Sequence, residues 1–183
     1  MTNATSTAIT TGTWNLDPTH TEIGFTVRHL MSKVRGKFEK FEGSLVTADD
    51  LSASTVKVDI DLSSINTGTA DRDAHLRSGD FFGVDEYPTM TFVSDGVVVK
   101  SDSDLTVAGT LTIKDVSKPV ELAVEILGEG GDPWGGTRLG IEATTEISRK
   151  EFGIDFNVPV GGDKVMIGDK ITINIVAEAV LQA

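Results

Sequence analysis

The 183-residue sequence contains no cysteine. Disulfides, thiolate metal sites and a cysteine nucleophile are all excluded, a composition that suits a reducing compartment. No hydrophobic run is long enough to cross a bilayer as a helix. The opening stretch MTNATSTAITTGTW has neither the basic n-region nor the apolar core of a secretory leader. The expectation is a soluble, cytoplasmic protein, or a periplasmic or secreted one if a leader has been removed. Catalytic signatures are also missing: there is no HExxH, GxSxG, phosphate loop or GxGxxG. Cationic charge is scarce, and the net charge of −12 disfavours nucleic acid and general adhesion to an anionic membrane. One stretch runs against this balance. Residues 28–40, RHLMSKVRGKFEK, set Arg28, Lys33, Arg35, Lys37 and Lys40 against the single acid Glu39, which reads either as a solvated strand face or as an anion-attracting rim.

What is present is alternation. A chain of this length makes about one domain, with residues 1–12, rich in Thr, Ser, Ala and Asn, expected as a flexible tail and residues 13–183 as the folded unit. In EIGFTVRH, Ile23, Phe25, Val27 and His29 share one parity while Glu22, Thr26 and Arg28 share the other, the pattern of a strand with one apolar face. TVKVDIDL repeats it through Val56, Val58, Ile60 and Leu62, and further segments do so to the end of the chain. Turn signals stand at Asp17-Pro18, Asp95-Gly96, Lys118-Pro119 and across Gly130 to Gly136. About eight strands with one apolar face each must close or stack. The even alternation favours an all-β, antiparallel up-and-down barrel, whose interior is filled by side chains or holds one slender ligand.

Residues 63–88 interrupt the pattern. Thr69 is placed to cap a short helix near residues 69–80, with Asp71 and Asp73 in its first turn and His75 and Arg77 in its last. Asp71 and His75 are spaced to face each other. Phe81 and Phe82 follow; adjacent residues face opposite ways in extended chain, so both reach a core only through a bend or beneath a lid. DRDAHLRSGDFF imitates a calcium loop, but Leu76 replaces its glycine and Phe82 its bidentate glutamate.

Several segments, WNLDPTHTEIGFTVRHL, VRGKFEKFEG, INTGTADRDAHLRSGDFFGVDEYPTMTF, AGTLTIKDVSKPVEL, ISRKEFGIDF and DKITINIVAEA, occur in an order and spacing that resembles the YceI-like family of polyisoprenoid-binding proteins, from Trp14 to Glu178. The resemblance implies a lipocalin-like barrel whose cavity takes a long isoprenoid or similar amphiphile, its tail along the barrel and its head near the opening. The sequence departs from the family in two respects: many relatives carry a leader, and Asp115 stands where they often have glycine.

On this reading the cavity wall comprises Ile23, Phe25, Val27, Val58, Ile60, Phe81, Phe82, Phe92, Leu111 and Ile173. His29 continues an inward parity and needs a polar partner, either a buried neighbour or a ligand head. Arg72 and His75 suit a diphosphate or other polar head, Arg72 alternatively pairing with Asp73 or another acid. No metal or other cofactor and no catalytic residue is expected; a zinc site on His20, His29 and His75 lacks supporting spacing. Trp134, at a hairpin tip, either folds back on the wall or touches a membrane interface. The expected partner is the lipid, without nucleic acid or stable membrane insertion; a homodimer is left open. The alternatives are an enzyme acting on a lipophilic quinone or isoprenoid through a histidine or metal, and a structural stress-response module with a filled barrel.

Overall fold

Strand parity decides the architecture: each segment must bury one face, and in the computed structural model, which describes residues 9–162 and 164–183, they do so by closing on themselves. The closed antiparallel barrel has eight strand paths, three of them broken. β1 (Gly12–Leu16) and β2 (Glu22–His29) form the first path, β3 (Ser32–Phe38) and β4 (Phe41–Thr47) the second, and β5 (Thr55–Asp61) and β6 (Ile65–Asn66) the third. α1 (Ala70–Arg77) follows, then the long strands β7 (Thr89–Val99), β8 (Asp104–Ile113), β9 (Val116–Gly131) and β10 (Thr137–Ser148). A small hairpin of β11 (Pro159–Gly161) and β12 (Lys164–Val165) precedes β13 (Ile167–Leu181). β13 closes the ring, pairing with β10 on one side and with β1 and β2 in succession on the other. Consecutive paths are neighbours throughout, as the up-and-down reading requires.

Two turn signals lie inside strands. Asp95-Gly96 sits within β7, where the register against β8 shifts between Ser94 and Gly96, so the dipeptide makes a bulge. Lys118-Pro119 lies within β9, which pairs with β10 only from Ala123 onward, so Pro119 has a strand neighbour on one side only. The turn falls earlier, at Lys114 and Asp115, whose φ angles of 52° and 66° are the left-handed pair of a two-residue hairpin.

The ends of the barrel differ. At the lower end Trp14 is wholly buried with Ile9, Ile126, Leu139 and Ala179, and its indole donates to Thr47 Oγ1 at 2.9 Å. Within the stretch expected as a tail, Ile9 is buried, the Thr10 amide donates to the Glu129 carboxylate at 2.9 Å, and Gly12 opens β1. Residues 1–8 lie outside the described residues. At the upper end two excursions leave the sheet, residues 67–88 around α1 and residues 149–166 between β10 and β13. Among the described residues no helix is long and apolar enough to cross a membrane.

Candidate functional site

Inward side chains of the strands leave the interior incompletely filled. A lower cavity of about 160 Å³ and an upper one of about 270 Å³ lie along the barrel, sharing Phe25, Phe38, Met90 and Ile173 as walls. Of the expected wall residues, Ile23, Val58, Ile60, Phe92 and Leu111 line the lower cavity, Val27, Phe81 and Phe82 the upper, and Phe25 and Ile173 both. His29, Arg72 and His75 all line the upper cavity. Two glycines seat rings in these walls. Gly36 lies opposite Phe25, whose ring occupies the space a side chain would fill, and Gly109 lies opposite the Phe92 ring, 2.6 Å from where a Cβ would be.

The 67–88 excursion supplies one wall of the upper cavity, with wiring the spacing did not indicate. Thr69 occupies the N-cap position of α1, but its hydroxyl makes no capping bond. The buried Asp73 carboxylate instead turns back, accepting from the Thr67 amide at 2.9 Å and from its hydroxyl at 2.6 Å. Among the described residues Arg72 pairs with no acid: Nε donates to Thr67 Oγ1 at 2.7 Å and Nη2 to the Thr67 carbonyl at 2.8 Å. His75 meets Asp80 at 2.8 Å rather than Asp71, because the turn after α1 carries Asp80 back beneath the ring. That same turn, with the Phe82 amide bonded to the Leu76 carbonyl, is the bend that lets both phenylalanines face inward. Phe81 packs edge-on with His75 and Phe156 at centroid distances of 5.0 and 5.3 Å, while Phe82 meets Phe38 at 6.0 Å. The His29 ring has no hydrogen-bonding side-chain partner among the described residues.

His20 stands apart from the other two histidines. Its Nδ1 lies 2.7 Å from Asp17 Oδ2, beside Glu178, and Arg138 bonds Asp17 at 2.6 Å, Glu178 at 3.1 Å and Asp132 at 2.9 Å. The Arg138 guanidinium, then the His20 ring, hold the Asp17 carboxyl down at about 2. Asp17, His20 and Glu178 are close enough to share a cation, but Arg138 already supplies the positive charge there. Trp134 remains 77% exposed at the tip of the β9–β10 hairpin, with the Arg138 guanidinium 5.7 Å from its ring centre, and lines neither cavity.

Residues 14–179 match the YceI-like domain. The chain belongs to the YceI-like family. It is 43% identical to a UPF0312 protein of Pseudomonas paraeruginosa over 150 residues, 80% of this chain and 77% of the relative, and 42% identical to one of Vibrio cholerae over 137 residues, 74% and 72%. Among solved structures, the YceI protein of Campylobacter jejuni aligns with a TM-score of 0.73 at 31% identity, covering 85% of this chain and 90% of that one. A polyisoprenoid binding domain from Saccharophagus degradans aligns at 0.68 and 18% identity, covering 94% and 100%, a likeness of fold.

In this YceI-like barrel one charged wall residue was not singled out from the sequence. Arg149, only 4% exposed, lines the upper cavity and, among the described residues, donates solely to main-chain carbonyls: Gly168, Ile154 and Phe156 at 2.9 Å each, and Ile167 at 3.4 Å. Burial pushes its pKa down, while the charges of Asp169 and Asp155 push it up. The available signal was a base set between apolar Ile147 and Phe152 in ISRKEF, where a strand ends. Arg149 ties the 149–166 excursion to the start of β13 and so shapes the cavity's upper wall.

Proposed function

We propose that this YceI-like barrel binds and carries a long-chain isoprenoid or similar amphiphile, tail in the stacked cavities and head at the upper end near His29, Arg72 and His75. The observation that carries this reading is the pair of apolar cavities, which share four walls and meet imidazole and guanidinium side chains only toward one end. Burying the tail yields about 0.8 kcal/mol per methylene, so a long chain needs little from its head, which then serves orientation and specificity. The likeness in fold to a polyisoprenoid binding domain supports the same reading. A filled structural barrel predicts no such cavities. Native mass spectrometry of the gently purified protein, followed by organic extraction, tests the proposal. One lipophilic adduct per chain is expected; a bare polypeptide mass that persists after incubation with a long-chain prenyl alcohol overturns it. Turnover of a quinone that disappears on replacing His29 would favour the enzyme instead.

A further inference from the structure

The cargo of such a carrier resides in a membrane, and the upper end of the barrel has a surface that neither the core nor the cavity explains. The two-residue turn joining β2 to β3 is Leu30-Met31. Met31 is fully exposed, Leu30 is half exposed, and Leu30 holds φ at +55°, a conformation that glycine or asparagine adopts more readily. The Leu30 amide donates to the Met166 carbonyl at 2.8 Å, and the Met166 amide to the Val158 carbonyl at 3.0 Å. This couples the tip to a second apolar group, Val158, Val160 and Val165, all exposed on or beside the β11–β12 hairpin. Val158 and Met166 also line the upper cavity, so the patch and the cavity share a wall.

Charge converges on the same place. Arg28 pairs across the hairpin with Lys33, Thr26 with Arg35 and Gly24 with Lys37, and all four basic side chains are exposed on its outer face. Lys164 adds a fifth beside Val165. Among the described residues none of the five is in an ion pair. On a chain of net charge −12 this is a local reversal of sign. An apolar tip flanked by basic side chains is complementary to an anionic bilayer, with the methionine and leucine entering the interface and the bases meeting phosphate. The remaining negative surface is repelled, which orients the cavity mouth toward the lipid.

Resting on the carrier reading, we propose that the Leu30-Met31 tip and its basic flank form a docking surface for anionic membrane, through which cargo passes to and from the upper cavity. Basic side chains also discourage edge strands from pairing with other chains, but that role needs no exposed methionine, so the two can be separated.

Sedimentation of the full chain with phosphatidylglycerol–phosphatidylcholine vesicles, against phosphatidylcholine alone, is the test. Anionic vesicles are expected to bind at least about tenfold more tightly, and Met31→Ser and the triple variant Arg28→Gln, Lys33→Gln, Arg35→Gln each to lose about tenfold or more, with unchanged melting temperatures. A Met31→Trp variant should show blue-shifted emission on anionic vesicles, while Trp134, at the opposite end, should not respond. No binding to anionic vesicles, equal binding by the variants, or a response from Trp134 overturns the docking surface. Vesicles are assayed without cargo, so a protein that yields lipid on extraction but ignores them overturns this inference alone. Vesicle binding without any co-purifying or acquired lipid overturns the carrier reading.

Discussion

Arg149→Leu removes the donor shared by four carbonyls, on Ile154, Phe156, Ile167 and Gly168, while keeping an apolar side chain in the cavity wall. Each lost bond to a charged donor is worth about 1.5–3 kcal/mol, and a carbonyl left buried without a partner adds to the cost. Two effects work the other way: leucine need not bury a charge that has no carboxylate bonded to it, and water from the upper cavity can reach some of the freed carbonyls. The balance is a loss of about 3 kcal/mol, which for a chain of this size lowers the melting temperature by about 6–12 °C. Urea unfolding followed by far-ultraviolet circular dichroism measures it directly. Arg149→Lys keeps the charge but not the planar fork, and should fall between the two. A loss below about 1 kcal/mol for the leucine variant, or wild-type stability for the lysine variant, would refute the view that this guanidinium holds the upper wall together.

Gly36→Ala drives a methyl group into the Phe25 ring and to 2.9 Å from Thr67 Cγ2, so it should destabilise by about 1–3 kcal/mol and reduce uptake of a fluorescent long-chain amphiphile; unchanged stability and uptake would mean the ring is not seated as described. Asp17 titrates at about 2 when folded against 3.8 ordinarily, a depressed carboxylate whose stabilisation is complete above about pH 4 and is lost as pH falls through about 2. Asp17→Asn should therefore flatten the stability profile between pH 4 and pH 2 relative to wild type, and parallel profiles would count against the Arg138 pairing.

Barrel closure and the inward faces were legible because the period-two signal is long-range redundant: Ile23, Phe25 and Val27 agree with Val58 and Ile60 about which face is inside, and the one switch of parity in β7, from Phe92 to Val97, falls at the Asp95-Gly96 bulge. Turn chemistry was less dependable. Asp95-Gly96 and Lys118-Pro119 carry the dipeptides of turns, yet a barrel strand absorbs the first as a bulge and tolerates the second where only one neighbour pairs. The wiring of the upper site was least legible. His75 finds Asp80, and Arg72 finds Thr67, through the path of a turn that helical spacing does not encode. Arg149 gave almost no signal, since its partners are carbonyls and every residue has one.

The broken strand paths carry a consequence for how cargo enters. β3 is joined to β6 only at Lys37 and Phe38, so from Ser32 to Gly36 its far edge borders no strand among the described residues. The β2–β3 ribbon is thus strand-bonded to β13 along one side, while its other side is a slit in the hydrogen-bonded wall that the 67–88 excursion covers, with Thr67 beside Gly36 and Phe82 on Phe38. If that excursion moves aside, a flexible chain need not thread end-on through a ring; it would slide in broadside, one segment at a time. Fast amide exchange at the outward-facing β3 amides, beside slow exchange in β9 and β10, is the trace such a slit would leave.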